Sequence, residues 1–157
     1  MSLQVNVNIV KGWPDASIVE KSLSSSVALV QGDIVRVGTN GTSWSKGITA
    51  KHQIPFIVMV DSTDPSTNRG TTDSTSYLQV AFGAIHGIGL NNALEIETTN
   101  YTSATYTVGT ALSAPAGLLK IAASGEFVVG SVSRAPYSLG SKTYLTFIPV
   151  VGSSVFS

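Results

Sequence analysis

The stretch LQVNVNI, Leu3–Ile9, decides the fold class because it alternates strictly between apolar and amide side chains. Successive side chains of a β-strand point to opposite faces, so this alternation gives a strand one apolar face and one polar face. An amphipathic helix would instead repeat its apolar residues three and four positions apart. The stretch therefore predicts a half-buried β-strand near the start of the chain.

Similar short runs of Val, Ile, Thr, Tyr and Phe recur along the chain, bounded by Gly, Pro, Asn and Ser. The apolar run Ile54–Val60 predicts a strand buried on both faces, and Asn40-Gly41 predicts a type I′ hairpin. The pattern predicts about ten to twelve strands and at most one or two helical turns. The other predicted strands are Val27–Val30, Ile34–Val37, Tyr77–Ile85, Ala93–Glu97, Tyr101–Val108, Leu118–Ala122, Glu126–Val132 and Thr143–Val151. We expect an all-β fold, an antiparallel β-barrel or a jelly-roll-like β-sandwich, with an N-terminal strand or arm.

Length and charge narrow the organisation and the partners. The 157 residues predict an N-terminal arm over residues 1–15 and a single β domain over residues 16–157. Nine Lys and Arg balance nine Asp and Glu, which argues against nucleic acid because counterion release from phosphates needs a basic surface. No apolar run approaches the roughly 20 residues that cross a membrane, so we expect no membrane partner. The N-terminus has no basic n-region, so we expect no signal peptide and synthesis in the cytoplasm.

Candidate catalytic residues are few. The chain has two histidines, His52 and His86, no cysteine, and no G-x-S-x-G turn that would present a nucleophilic serine. Gly83–Gly89 holds three glycines without the spacing of a nucleotide-binding loop, so we expect them to bend the backbone or allow close packing. Glu95 and Glu97 share one strand face, and we expect a solvent-facing stripe there rather than a glycosidase pair. The sequence predicts no catalytic residue, no cofactor and no enzymatic activity.

The segment Asp61–Ser76 has no aliphatic or aromatic side chain, which predicts a long loop. Part of it, Asp61–Asp73, superficially resembles a calcium loop, but its glycine falls one position late and no Glu lies near the twelfth position. We therefore predict no metal site and interpret the segment as a mobile loop or one that a partner orders. The residues assigned to this partner-dependent loop are Asp61, Asp64, Asn68, Arg69 and Asp73.

Residues 107–150 follow a recurring order of short strands and glycines, ending in a V-V-G-x-V segment and a closing strand. The segments are Thr107–Leu112, Ala116–Ala122, Phe127–Val132 and Tyr144–Ile148, preceded by Gly32–Val35 and Pro55–Val58. This order resembles capsid decoration (cement) proteins of tailed bacteriophages over about two-thirds of the chain. The loop Asp61–Ser76 and the N-terminal strand lie outside the resemblance.

The resemblance implies a structural virion protein that binds the outside of an assembled shell as a homotrimer and stabilises it. Its partners would be the major capsid protein and further copies of itself, and it would lie on the outer capsid surface after synthesis in the bacterial host. Such proteins often contact the shell through an N-terminal arm, and an amphipathic strand can add to a neighbouring sheet edge. The residues assigned to that arm are Leu3, Val5, Val7, Ile9 and Trp13. The alternative for this stretch is an ordinary first strand of the domain's own sheet.

Three other functions remain open from the sequence. Another virion component, such as a tail-tube, connector or head-fibre base protein, would have the same β-rich composition. A carbohydrate-binding β-sandwich module would use exposed aromatic rings to stack on sugar. The candidate rings are Trp13, Trp44, Tyr77, Tyr101 and Tyr106. A hydrolase would depend on His52 or His86.

Overall fold

The computed structural model describes residues 7–11, 20–23, 25, 27, 29–59 and 85–156. These residues form eleven β-strands and no helix. The strands are β1 (Val7–Lys11), β2 (Glu20–Leu23), β3 (Ile34–Val37), β4 (Trp44–Lys46), β5 (Phe56–Val58), β6 (Ile85–Gly89), β7 (Glu95–Thr98), β8 (Ala111–Ser113), β9 (Lys120–Ile121), β10 (Phe127–Leu139) and β11 (Lys142–Val155). The predicted all-β class is confirmed.

The strands build two antiparallel sheets. The first sheet has six strands in the order β1-β7-β11-β10-β8-β9, and the second has five in the order β2-β6-β5-β3-β4. Among the strands described, neither sheet closes on itself, so the arrangement is sandwich-like rather than a closed barrel. Within this described set each sheet has two edges, and β1 is an edge of the first sheet.

Buried side chains from both sheets form one inter-sheet core. The second sheet contributes Ile34, Ile57 and Ile88, which are paired across β3, β5 and β6 and so point to one face. The first sheet contributes a larger set that includes Val7, Ile96, Leu112, Val129, Val132, Leu145 and Phe147. Burial of each such side chain stabilises the fold by about 1.5–3 kcal/mol before the loss of conformational entropy is subtracted. This core holds the two sheets face to face.

The opposite face of the second sheet is apolar as well. Val35, Phe56 and Val58 alternate with the core-facing residues of their strands, and they pack with Trp44 and Leu29 into a second cluster. The rings of Trp44 and Phe56 lie 5.2 Å apart between centroids and are tilted by 55°. The strand β5 is therefore buried on both faces, as the run Ile54–Val60 predicts for its central residues.

Close contact between Trp44 and Gly87 shows that the second sheet is strongly curved. These residues lie on β4 and β6, which are separated by β5 and β3. Three strand spacings would span about 14 Å in a flat sheet, farther than an indole side chain reaches. A Cβ atom on Gly87 would nevertheless lie 2.7 Å from Trp44 Cζ2. The predicted close packing at the Gly83–Gly89 glycines thus holds at Gly87, where the missing side chain leaves room for the indole ring.

A buried carboxylate ties the two sheets together at one end. Asp33 is 4% exposed, and its Oδ1 accepts a hydrogen bond from Asn100 Nδ2 at 3.0 Å. Its Oδ2 accepts from the Val30 amide at 2.9 Å and lies 3.5 Å from Lys46 Nζ. The preceding Gly32 has φ 95°, and a Cβ there would lie 2.7 Å from Asn100 Cβ. The turn before β3 is therefore locked against the loop that follows β7.

Strands β10 and β11 pair as a hairpin, and β10 runs farther than the sequence predicts, since the expected strand Glu126–Val132 continues to Leu139. The segment Ser133–Leu139 looks irregular in sequence because it contains Pro136. The register shifts between Arg134 and Tyr137, so the proline falls at a β-bulge, where the missing N–H costs no ladder hydrogen bond. A two-residue turn of Gly140 and Ser141 joins the strands, and Gly140 has φ 64°.

Two predicted strands are wrong. In Val27–Val30, of which the structure describes residues 27, 29 and 30, only Leu29 makes an isolated bridge, and the Asp33 carboxylate accepts a hydrogen bond from the Val30 amide. In Tyr101–Val108 only Tyr101 makes a bridge. The Tyr106 hydroxyl donates to the Thr102 carbonyl at 2.9 Å, which folds this segment back on itself and buries the ring of Tyr106.

The Asn40-Gly41 hairpin exists, but its turn is wider than type I′. Val37 pairs with Trp44, and the Gly41 amide donates to the Gly38 carbonyl at 2.9 Å. Type I′ needs positive φ at both central residues, whereas Gly41 has φ 75° and Asn40 has no positive φ. The Asn40 side chain instead accepts a hydrogen bond from the Thr42 amide at 3.0 Å, which favours an Asx turn.

Candidate functional site

The clearest concave site in the described part of the chain is a pocket of about 650 Å³ at one end of the second sheet. We call it the sheet-end pocket. Its lining residues are Lys21, Arg36, Val37, Thr39, His52, Gln53, Ile54, Phe56, Gly89, Leu90 and Asn91. They come from β2, the end of β3, the segment before β5 and the end of β6, which antiparallel pairing brings to the same end of the sheet. Its volume lies within the range of about 300–1,000 Å³ typical of small-molecule sites.

The apolar part of the sheet-end pocket follows from the curvature of the second sheet. Phe56 is 3% exposed and Val37 packs against the second cluster, so both continue that cluster into the pocket wall. Ile54 is 65% exposed because Pro55 ends the ladder before β5 begins. The Leu90 amide donates to the Pro55 carbonyl at 3.0 Å and joins the ends of β5 and β6. An apolar ligand group would therefore meet a packed wall and an exposed aliphatic rim.

The charged side chains among the described lining residues of the sheet-end pocket are cationic. Lys21 on β2 and Arg36 on β3 carry positive charge, and the lining described contains no Asp or Glu. Arg36 Nη1 donates to the carbonyls of Lys46 and Gly47, each at 2.7 Å, so this guanidinium is held in place. Lys21 is exposed to solvent. The pocket thus combines apolar surface with a positive field.

The segment around His52 has a defined and strained conformation. Gln53 Oε1 accepts hydrogen bonds from the Thr49 amide at 2.7 Å and the Ala50 amide at 3.1 Å, which closes a tight turn. His52 has φ 68°, the one positive φ at a non-glycine residue in the described ranges. That conformation costs a residue with a Cβ atom about 1–2 kcal/mol, and such residues concentrate at functional sites. The turn places His52 beside Ile54 at the pocket rim.

No group of three or more metal-ligating side chains occurs among the residues that the structure describes. The sheet-end pocket offers amide, hydroxyl, imidazole and cationic groups, together with hydrophobic contact. Hydrogen bonding, charge attraction and burial of apolar surface are the chemistry that this set provides.

The residues assigned to the capsid arm fall into two groups. Leu3, Val5 and Trp13 lie outside the described residues, as do residues 12–19 around the predicted boundary at residue 15. Val7 and Ile9 lie in β1, which pairs with β7 through Val7–Thr98 and Ile9–Ile96. Val7 is 4% exposed and Ile9 packs against the inter-sheet core. From Val7 onward this stretch is therefore a strand of the domain's own sheet, and it lies at the sheet edge.

The partner-dependent loop Asp61–Ser76 lies outside the described residues. Its assigned residues Asp61, Asp64, Asn68, Arg69 and Asp73 keep the status of a prediction, as does the interpretation that no calcium binds there.

Glu95 and Glu97 share the outer face of the first sheet, as their spacing predicts. Glu97 is only 7% exposed, so the expectation of a solvent-facing stripe is wrong at that position. Its Oε2 accepts a hydrogen bond from the Tyr137 hydroxyl, and Glu95 Oε2 accepts from Ser133 Oγ at 2.6 Å. The bond to Glu97 raises the pKa of Tyr137 because it stabilises the protonated phenol. Arg134 lies 3.7 Å above the Tyr137 ring. The β10–β11 hairpin thus covers a carboxylate that the sequence pattern would leave in solvent.

Two of the rings considered for sugar stacking are unavailable. Trp44 is 2% exposed in the second cluster and Tyr106 is 3% exposed in the inter-sheet core. Trp13 and Tyr77 lie outside the described residues. Tyr101 remains half-buried, with its hydroxyl donating to the Thr143 carbonyl at 3.2 Å. Burial raises the pKa of that phenol.

Sequence reasoning missed the sheet-end pocket because its residues are far apart in the chain. Lys21 and Asn91 line the same pocket because β2 pairs with β6, and no local spacing in the sequence indicates that pairing. One signal in the sequence is Pro55, which interrupts the apolar run Ile54–Val60 and leaves Ile54 before the start of the strand.

A scan against protein-family models finds no match, and no curated protein matches this chain. The described residues contain no helix long and apolar enough to cross a membrane.

Proposed function

We propose that this protein is a structural virion protein, a capsid decoration (cement) protein that binds the outside of an assembled phage shell as a homotrimer. The observation that carries the proposal is the position of β1. Among the strands that the structure describes, β1 is an edge of the larger sheet, with β7 as its partner on one side. An edge strand presents backbone N–H and C=O groups to any neighbouring strand of complementary register.

Two properties of the surface support this proposal. Val10, at the irregularity of β1, is 46% exposed and so adds apolar surface beside the edge. Only 11% of the residues are charged and the formal net charge is zero, so many copies can lie side by side with little mutual repulsion. Such a protein stabilises a shell by mass action, because it binds neighbouring subunits of the assembled shell and not separated subunits.

The predicted arm has a modified form in this proposal. Val7 and Ile9 are committed to the domain's own core, so they do not insert into the capsid sheet. The contact would instead be made by the outer edge of β1, to which the capsid strand adds. Leu3, Val5 and Trp13 precede or follow this strand and belong to the same proposed contact.

The experiment starts from shells that were assembled without the protein. It compares these shells before and after the protein is added. We expect the protein to sediment as a trimer, to co-sediment with assembled shells, and to raise their dissociation temperature. A protein that stays monomeric at high micromolar concentration and leaves shell stability unchanged would overturn the proposal. Rings of six subunits would instead favour a tail-tube or connector component.

A further inference from the structure

We infer that the sheet-end pocket binds a small organic anion, a molecule that joins a compact apolar or aromatic body to a phosphate or carboxylate group. The inference does not depend on the proposed shell-binding role, because the pocket lies in the second sheet and β1 lies in the first. Nothing in the decoration function requires a ligand at this place.

The apolar half of the ligand follows from the wall of the pocket. Phe56 forms part of the buried second cluster, and Val37 packs against the same cluster. Leu90 and the exposed Ile54 complete the apolar lining. A volume of about 650 Å³ exceeds what a lone inorganic ion needs, since one water molecule occupies about 30 Å³ in the liquid. Burial of an aromatic or branched aliphatic group against these side chains would supply most of the binding free energy.

The anionic half follows from the sign of the charges. Lys21 and Arg36 line the pocket, and no carboxylate is present in its described lining. Arg36 follows Val35 on β3, so its side chain leaves the strand on the face opposite to Val35 and Phe56. Its Nη1 donates to the carbonyls of Lys46 and Gly47. Lys21 lies on the same face as Val58 and is the cation that can meet the ligand directly. Lys21 lies on β2, on the other side of β6 and β5, so the two cations approach the pocket from different strands. Lys21 would attract an anionic group of the ligand and repel a cationic one.

Polar groups at the rim provide hydrogen bonds in addition to charge. Thr39, Gln53 and Asn91 line the pocket together with His52. The positive φ of His52 and the closed turn that Gln53 forms hold this rim in one conformation. A preorganised rim lowers the entropy lost when a ligand binds. The site therefore has the elements of a specific small-molecule pocket.

Phenyl phosphate is the probe that tests the inference, with benzoate as a carboxylate and phenol and inorganic phosphate as the separate halves. We expect phenyl phosphate or benzoate to shift the backbone amide NMR signals of residues 37–39, 52–54 and 89–91. Phenol and inorganic phosphate should each bind at least tenfold more weakly than the better of the two anions. Higher ionic strength should weaken the binding of the anions and not that of phenol.

Paired variants identify the contacts. Lys21→Gln should weaken the binding of phenyl phosphate about threefold, as expected for one solvent-screened charge pair, and Lys21→Arg should retain it. Lys51→Gln is the matched control, because Lys51 is an exposed cation next to His52 that does not line the pocket. Ile54→Ala should also weaken binding, whereas Val108→Ala, at a residue 69% exposed in another loop, should not.

These outcomes decide the inference. Saturable shifts confined to the pocket, with loss in Lys21→Gln and Ile54→Ala, support it. Absence of shifts with every probe at 10 mM would overturn it, and so would equal binding of phenol and phenyl phosphate. An equal effect of Lys51→Gln and Lys21→Gln would also overturn it, because the charge would then act at long range rather than in the pocket.

Discussion

The two sheets of this protein bury their faces differently. The first sheet turns one face to the inter-sheet core and carries polar side chains on the other, where Glu97 and Tyr137 are hydrogen bonded. The second sheet is apolar on both faces, since Ile34 and Ile57 face the core while Val35 and Phe56 face the second cluster. A sheet with apolar side chains buried on both faces has little face surface left for a ligand, and the sheet-end pocket lies at an end of this sheet. The first sheet has a polar outer face, and among the described strands β1 is one of its edges.

The largest expected difference concerns matched leucines in the two apolar clusters. Leu145 lies in the inter-sheet core and Leu29 in the second cluster, and both are 0% exposed. Leu145→Ala should lower the free energy of unfolding by about 4 kcal/mol and Leu29→Ala by about 3 kcal/mol, because the smaller cluster can relax more around a cavity. Urea unfolding measures both. A larger loss for Leu29→Ala would contradict the ranking of the two clusters.

A smaller effect is expected where the second sheet curves. Gly87→Ala puts a methyl group against the indole of Trp44 and should cost about 1–3 kcal/mol. In a Trp44→Leu background the same substitution should cost much less, since the ring it meets is gone. The double-mutant cycle by denaturant unfolding gives the coupling. Additive effects of the two substitutions would show that the sheet is flatter than described.

The smallest effect is pH dependent and lies in the first sheet. Lys120 Nζ donates to Glu126 Oε1 at 2.6 Å, and the Ser113 hydroxyl and the Ala123 amide donate to the same oxygen. The Lys120 bond, the Ala123 amide and the Ser113 hydroxyl lower the pKa of Glu126 from 4.5 to about 2. Because the folded-state pKa is depressed, the stability it contributes is present above about pH 4.5 and is lost as the pH falls toward 2.

Glu126 has a side chain 24% exposed, so solvent screening keeps this contribution below about 1 kcal/mol. Glu126→Gln and Lys120→Gln should both reduce the acid dependence of the melting temperature between pH 4.5 and 2. Lys51→Gln, at an exposed lysine elsewhere, is the control and should leave that dependence unchanged. An unchanged acid profile in Glu126→Gln would contradict the assignment.

The sequence predicts most of the strands because their apolar and polar residues alternate locally. It predicts Ile34–Val37 to the residue and places strands at β10 and β11, although it ends β10 early at Val132 and β11 early at Val151. It fails at Tyr101–Val108, where a Thr- and Tyr-rich composition favours a strand but the Tyr106 hydroxyl binds the Thr102 carbonyl instead. Propensity describes the single residue, and a local hydrogen bond from a side chain to the backbone can outweigh it.

The candidate site could be predicted far less well than the fold. The pocket brings together Lys21, Arg36 and Asn91 because β2, β3 and β6 share a sheet. No local pattern in the sequence predicts the order of the strands in that sheet. The burial of Glu97 has the same origin, since the covering Tyr137 lies on a hairpin strand distant in sequence. Residues that meet through sheet order rather than through spacing need the fold before they can be recognised.

The shell-binding role of the β1 edge is tested most directly by adding a charge to it. Val10→Lys places a lysine beside the edge, a change that blocks strand addition in many proteins. Val108→Lys, at the more exposed Val108, is the matched control. Co-sedimentation with assembled shells should fall at least tenfold for Val10→Lys and stay at the wild-type level for Val108→Lys, with both variants folded. Wild-type shell binding by Val10→Lys would contradict the account.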